Sequence, residues 1–199
     1  MTTANKITIC RILLIPFFVM EVLYYQKSGE ELHRLCAIIA FASAAICDGV
    51  DGYIARRYNQ KSELGAVLDP LADKLLLISG IILLSLDFEK PHFGSIPSWL
   101  TATIIGRDVI LVIGLGVIHM TVGKVTVRPR ILGKVATVLQ IICIAWVLLK
   151  WDQQIATAWF RALTLAAAIC TGTSGILYVF DGMRQLSVHP ASSPSRPEK

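Results

Sequence analysis

Charge is what this chain has least of. Asp, Glu, Lys and Arg make up 17% of its 199 residues, against roughly 25% in ordinary soluble domains. Hydrophobic residues reach 54% and the mean hydropathy is +0.62, so there is too little polar surface to cover a soluble globule. The same balance excludes a disordered chain and a collagen-like fibre. The five cysteines (Cys10, Cys36, Cys47, Cys143, Cys170) are odd in number, scattered, and set in apolar runs. They lack paired ligand spacing, which excludes a disulfide scaffold and leaves them as small buried hydrophobes. No stretch alternates with period two, which argues against a barrel. No internal repeat stands out. A secretory signal is not expected either, because Arg11 interrupts the first apolar stretch and no small-residue cleavage site follows it.

What is present is a series of long apolar stretches. A bilayer core of roughly 30 Å takes about 20 helical residues to cross. Six stretches approach that length: Ile7–Tyr25, Leu35–Ala55, Gly65–Leu86, Ile96–Met120, Ile131–Lys150 and Ile155–Phe180. The expected fold is therefore an all-α integral membrane protein of six spans, residues 1–186, followed by a polar, disordered cytoplasmic tail at 187–199. Six spans place both termini on one side. Eleven Lys and Arg fall on that side, including Lys6, Arg11, Arg56, Arg57, Lys61, Arg128 and Arg130, against Lys27, Arg34, Lys90 and Lys150 on the other. The imbalance makes the side of the termini cytoplasmic. The net charge of +5 then reads as basic loops facing anionic lipid rather than a nucleic-acid surface.

Charge inside a span costs on the order of 2.5–3.5 kcal/mol per group on insertion scales, so each instance asks for a reason. The second and third stretches hold four carboxylates. Asp48, Asp51, Gly52 and Ala55 stand at i, i+3, i+4 and i+7, which is one helix face. Gly65, Asp69 and Asp73 repeat the idea at i, i+4 and i+8. The short link from Arg56 to Leu64 makes the two helices antiparallel neighbours. Like charges gathered in low dielectric oppose one another's ionisation, and divalent cations resolve the conflict. Oxygen-only ligands suit Mg²⁺ or Mn²⁺ rather than Zn²⁺. Four acids suffice for two ions about 3.5–4 Å apart, an arrangement that clamps phosphoryl oxygens during displacement. Small residues on the same face leave room for a flat ligand, and Arg56 and Arg57 are placed to meet phosphate.

The run Asp48-Gly-Val-Asp51-Gly52-Tyr-Ile-Ala55-Arg56, followed at intervals of eight, three and three residues by Gly65, Asp69 and Asp73, resembles the signature of the CDP-alcohol phosphatidyltransferases. The opening Asn5-Lys-Ile-Thr8-Ile-Cys-Arg11 with Ile15-Pro16 is similar to that family's first helix. Ile104-Ile-Gly-Arg107-Asp108 and Leu132-Gly133-Lys134-Val-Ala-Thr137 resemble segments of its glycerol-phosphate branch. The likeness covers about residues 5–150, and the sixth span adds little to it. It implies a six-helix, homodimeric membrane enzyme with a polar di-metal cavity open to the cytoplasm, in the inner membrane if bacterial. Such an enzyme displaces CMP from a CDP-linked lipid with the hydroxyl of an acceptor alcohol. By the same resemblance Asp48, Asp51 and Asp69 are metal ligands, with Asp73 near the metals and acting as base. Gly52, Ala55 and Gly65 line the cytidine pocket, Asp51 faces the CDP group, and Arg56 binds diphosphate.

The acceptor is read from the basic residues. Arg107, deep in the fourth stretch, with Arg128, Arg130 and Lys134 at the entrance to the fifth, suits a phosphorylated alcohol. CDP-diacylglycerol and glycerol 3-phosphate are the substrates this implies, with phosphatidylglycerol phosphate as product. Many glycerol-phosphate enzymes carry a second lysine where this chain has Ala136. Arg107-Asp108 and Ile96–Thr101 also resemble the cardiolipin synthases of the superfamily, whose acceptor is phosphatidylglycerol; inositol phosphate is a remoter choice.

Plainer readings compete. Asp69 directly precedes Pro70, the pattern of a helix cap. Asp48 and Asp51 would serve as structural glue if paired with Arg or Lys, and headgroup attraction accounts for Arg128 and Arg130 equally well. Asp108 is a candidate partner for Arg107, although neighbours on a helix point about 100° apart, which favours a partner on another helix. Lys150 and Arg161 read as snorkelling side chains, and Tyr24, Tyr25, Trp99, Trp151 and Trp159 as interfacial anchors. A cation channel would distribute its acids through the bilayer and interrupt its helices; here they lie toward one end, spaced with glycine.

Overall fold

The computed structural model describes residues 3–57, 63–86, 88, 92–122, 131–151 and 157–188, and side chains over a narrower set. Among them are six long helices and no strand: α1 Thr3–Ser28, α2 Glu31–Arg57, α3 Glu63–Ser85, α4 Ser98–Val122, α5 Ile131–Leu148 and α6 Thr157–Val188. Each coincides with one expected stretch, and most overrun it at polar ends. Helix α6 runs through Val188, two residues past the expected start of the tail; residues 189–199 lie outside the described residues.

The bundle has an apolar core with a few polar groups inside it, and an apolar exterior. Gln140, Thr164, Thr171 and Ser174 are buried, whereas Leu13, Ile39, Val112, Ile131 and Ile169 are each more than 60% exposed. In water such a belt would drive aggregation; against acyl chains it is the favourable surface. Among the described residues three segments are long and apolar enough to cross a membrane: Ile9–Ser28, Ile131–Leu148 and Thr157–Met183. Lipid gives helices no hydrophobic reason to associate, so small residues and internal hydrogen bonds take over. Ala37, Ala40 and Ala44 form the buried stripe of α2, and α1 lies against that helix along most of its length. Between α5 and α6, Gln140 Nε2 donates to Thr171 Oγ1 at 3.2 Å.

Helix α3 is the hub, in contact with α1, α2, α4 and α5, while α6 packs on α4 and α5. The α1–α2 turn closes on Gly29, whose φ of +72° is left-handed and whose missing Cβ would stand 2.5 Å from His92 Nε2. Both facts require glycine there. Tyr25, expected as an interfacial anchor, is fully buried, with ring centroids 4.5 Å from Phe93 and 5.7 Å from His92. Lys150 does not simply snorkel: its Nζ sits 5.1 Å from the Tyr25 ring centroid and 3.0 Å from Glu31 Oε1. The cysteines are free, but only Cys143 is buried; Cys10 is exposed.

Candidate active site

The acidic helices are continuous where the chemistry needs them to be. Helix α2 carries Asp48, Asp51, Gly52, Ala55 and Arg56 in one unbroken run to Arg57. Helix α3 runs from Glu63 through Gly65, Asp69, Pro70 and Asp73 to Ser85. Asp69 thus lies six residues inside α3, and the capping reading is set aside: the first-turn donors that a cap satisfies are at Glu63 and the residues after it. With a rise of about 1.5 Å per residue, Asp48 and Asp51 are ~4.5 Å apart along α2, and Asp69 and Asp73 ~6 Å apart along α3. The two helices touch. The side chains of Asp48, Asp51, Gly52, Ala55, Arg56, Gly65 and Asp69 lie outside the described residues, as do Arg128 and Arg130 entirely. Asp73 is half-buried. Among the described residues no three His, Cys, Asp or Glu side chains gather as a metal site, and of the four carboxylates only Asp73 belongs to that set. The donor chemistry fits hard divalent cations: oxygen ligands only, in pairs about one turn apart on helices that do not spend them on caps.

Beside Asp73 on α3 stands a charge that sequence reasoning left without a role. Lys74 Nζ lies 2.6 Å from Asp108 Oδ2 on α4, and the other carboxylate oxygen of Asp108 accepts from Arg107 Nη1 at 2.7 Å. Of the two partners expected for Arg107, the neighbouring Asp108 is the one found, and Asp108 also meets Lys74. It pairs with its own neighbour and with another helix, because an Asp has two oxygens and a long Arg stem can double back across its turn. Arg107 and Asp108 are 13% and 15% exposed, against 41% for Lys74. A cluster this dry is costly unless every charge is met.

Arg107 is enclosed by two further helices. Its Cζ lies 5.6 Å from the centroid of the Tyr178 ring on α6. A Cβ on Gly133 of α5 would come 3.4 Å from Nη2, and one on Gly175 of α6 would come 3.0 Å from Cγ. Lys134, next to Gly133, is exposed at the start of α5. The structure thus brings Arg107 near the base of α5 that carries Lys134. Arg11 lies within α1, inside the first stretch as expected, and is fully buried there. Without it the basic excess on the side of the termini still stands.

A family model for CDP-alcohol phosphatidyltransferases matches residues 1–172. The chain belongs to that family. As a CDP-alcohol phosphatidyltransferase it is a transferase of phospholipid biosynthesis and a membrane protein. The match reaches well into α6, further than the likeness read from motifs. Among similar proteins is a "Probable phosphatidylglycerophosphate synthase" of Mycobacterium tuberculosis (strain ATCC 25618 / H37Rv), 32% identical over 185 residues, covering 92% of this chain and 82% of that protein. The "CDP-diacylglycerol--glycerol-3-phosphate 3-phosphatidyltransferase" of Bacillus subtilis (strain 168) is 38% identical over 153 residues, 73% of this chain and 75% of its own. The protein so named in Escherichia coli (strain K12) is 34% identical over 177 residues, 87% and 90% of the two chains. Lys74, Gly175 and Tyr178 escaped the motif reading. Lys74 alone had a signal, a cation within an apolar span; a glycine and a tyrosine in a membrane helix have none.

Proposed function

We propose that this CDP-alcohol phosphatidyltransferase transfers the phosphatidyl group of CDP-diacylglycerol to a hydroxyl of glycerol 3-phosphate, releasing CMP and forming phosphatidylglycerol phosphate. The observation that carries the reading is the chain of charge Lys74–Asp108–Arg107. It ties the residue next to the proposed base to a cation suited to an acceptor phosphate, at the α5 end that bears Lys134. The names of the similar proteins point the same way.

In this reading Asp48, Asp51, Asp69 and Asp73 hold two Mg²⁺ or Mn²⁺ ions, which when bound neutralise pyrophosphate charge. Gly52, Ala55 and Gly65 admit the cytidine, Asp51 faces the CDP group, and Arg56 holds the diphosphate. Arg107, Arg128, Arg130 and Lys134 bind the phosphate of the acceptor and leave its hydroxyl toward Asp73. The Asp73 carboxylate takes the hydroxyl proton as the oxygen bonds to the phosphorus that carries diacylglycerol. The bond from that phosphorus to the bridging oxygen breaks, and CMP leaves with the electron pair. Six spans, both termini in the cytoplasm and a homodimer complete the proposal.

An acceptor panel tests it. Purified protein with CDP-diacylglycerol and Mg²⁺ is offered glycerol 3-phosphate, phosphatidylglycerol or inositol phosphate, and the product lipid is identified by mass. Phosphatidylglycerol phosphate is the expected product. Cardiolipin formed from phosphatidylglycerol, with glycerol 3-phosphate inert, would replace this reading with the cardiolipin synthase one.

A further inference from the structure

Arg107 poses a physical question that the reaction alone does not answer. A guanidinium inside an apolar span is expensive, and a long, flexible stem must be held if it is to meet a phosphate in one geometry. The pair with Asp108 joins adjacent residues whose side chains leave the helix about 100° apart. It closes only if the Arg107 stem lies flat and turns back over its own helix. Space for that path comes from α6. A Cβ at position 175 would stand 3.0 Å from Arg107 Cγ and 3.7 Å from its Cβ. One turn further on, the Tyr178 ring takes the face of the guanidinium at 5.6 Å, a cation–π distance. Gly133 clears the Nη2 side, where a Cβ would fall 3.4 Å from Nη2 and 3.5 Å from the Tyr178 hydroxyl oxygen.

We infer that α6 is a working part of the acceptor site: Gly175 and Tyr178 are positioning residues that, with Asp108 and Gly133, form a socket fixing Arg107 for the acceptor phosphate. The inference rests on the proposed role of Arg107. It gives the sixth helix a function that its apolar composition hides, and it makes acceptor affinity depend on residues that never touch the acceptor.

A pair of glycines on one helix supplies the test. Gly172 is one turn before Gly175, and a Cβ there meets nothing within 4 Å. In the full-length enzyme, Gly175→Ala is expected to raise the KM for glycerol 3-phosphate about tenfold, within the ~100-fold that a 1 Å misplacement can cost. kcat and the KM for CDP-diacylglycerol stay within about twofold. Gly172→Ala should change none of these. Tyr178→Leu should reproduce the Gly175→Ala effect and Tyr178→Phe, which keeps the ring, should largely restore affinity. It also carries the test if Gly175→Ala does not fold. Arg107→Ala should raise the same KM, and adding Gly175→Ala to it should raise it no further. Equal effects at 172 and 175, full additivity with Arg107→Ala, or loss of CDP-diacylglycerol affinity alongside would overturn the socket alone. An unchanged glycerol 3-phosphate KM in Arg107→Ala would overturn the acceptor reading and the socket together.

Discussion

Two clusters, one at the α1–α2 turn and one midway along α3 and α4, solve the same problem, the pairing of charges between helices, around carboxylates of very different exposure. At the end where α1 turns into α2, Glu31 bridges Arg34 Nε and Lys150 Nζ while 55% exposed, and Arg34 Nη1 also donates to the Leu148 carbonyl at 3.4 Å, closing the end of α5. Midway along α3 and α4 Asp108 bridges Lys74 and Arg107 with only 15% exposure. The shared carboxylate of the first cluster keeps its contact with water, so its loss costs little. In the second, Asp108 and Arg107 have given up most of their hydration and rely on their partners, while Lys74 stays partly in contact with solvent. A protein that wanted only rigidity would fill that space with leucine. Keeping a half-covered ionic cluster beside Asp73 fits the proposed role of Arg107 as a cation held in place.

The contrast is sharpest at the base. Asp73→Asn is expected to lower turnover by ~10²–10⁴-fold while leaving CDP-diacylglycerol binding largely intact, read from initial rates beside a binding assay with the unreactive lipid nucleotide alone. Loss of binding in step with rate would assign Asp73 to holding the donor instead. Next in size is Asp108→Ala, which strands two cations at once. Removing one partner of a buried pair costs up to ~3–5 kcal/mol, so a clear fall in the thermal unfolding temperature in detergent is expected, together with weaker acceptor affinity. An unchanged unfolding temperature would place this cluster in the same class as the exposed one.

The smallest effect belongs to the exposed end. The hydrogen bond from Lys150, and then that from Arg34, hold the Glu31 carboxyl below its ordinary value of 4.5. A lowered carboxylate pKa contributes stability above 4.5 that disappears as pH falls through the folded value. For Lys150 the Tyr25 hydroxyl, and then Glu31, hold the ammonium above its ordinary 10.5 against the pull of desolvation, so its contribution is complete below 10.5 and lost only at higher pH. Glu31→Gln should therefore lower the unfolding temperature slightly at neutral pH, with the difference from the parent vanishing under acid conditions. A large difference that persisted in acid would show that Glu31 acts through packing rather than charge.

Much of this was visible before any coordinates. Asp48, Asp51, Asp69 and Asp73 stand at helical spacing in apolar surroundings, where chance rarely leaves an acid, and α2 and α3 run through them as expected. Arg107 announced itself by its depth. Its surroundings did not, because Gly133, Gly175 and Tyr178 are distant in sequence and of types common in any membrane helix. Tyr25 misled for a related reason: an aromatic near a span end has the composition of an interface, yet it is fully buried.

Local periodicity and the cost of charge in lipid were enough to dictate the helices and the spacing of the carboxylates along them, since those depend on neighbours three and four residues apart. Which helix lies against which, and hence that Lys74 meets Asp108 and that Arg107 rests on α6, was decided only when the bundle assembled. In lipid, helices choose one another by close packing and polar contact rather than by hydrophobicity, and that choice leaves almost no trace in the pattern of any single helix.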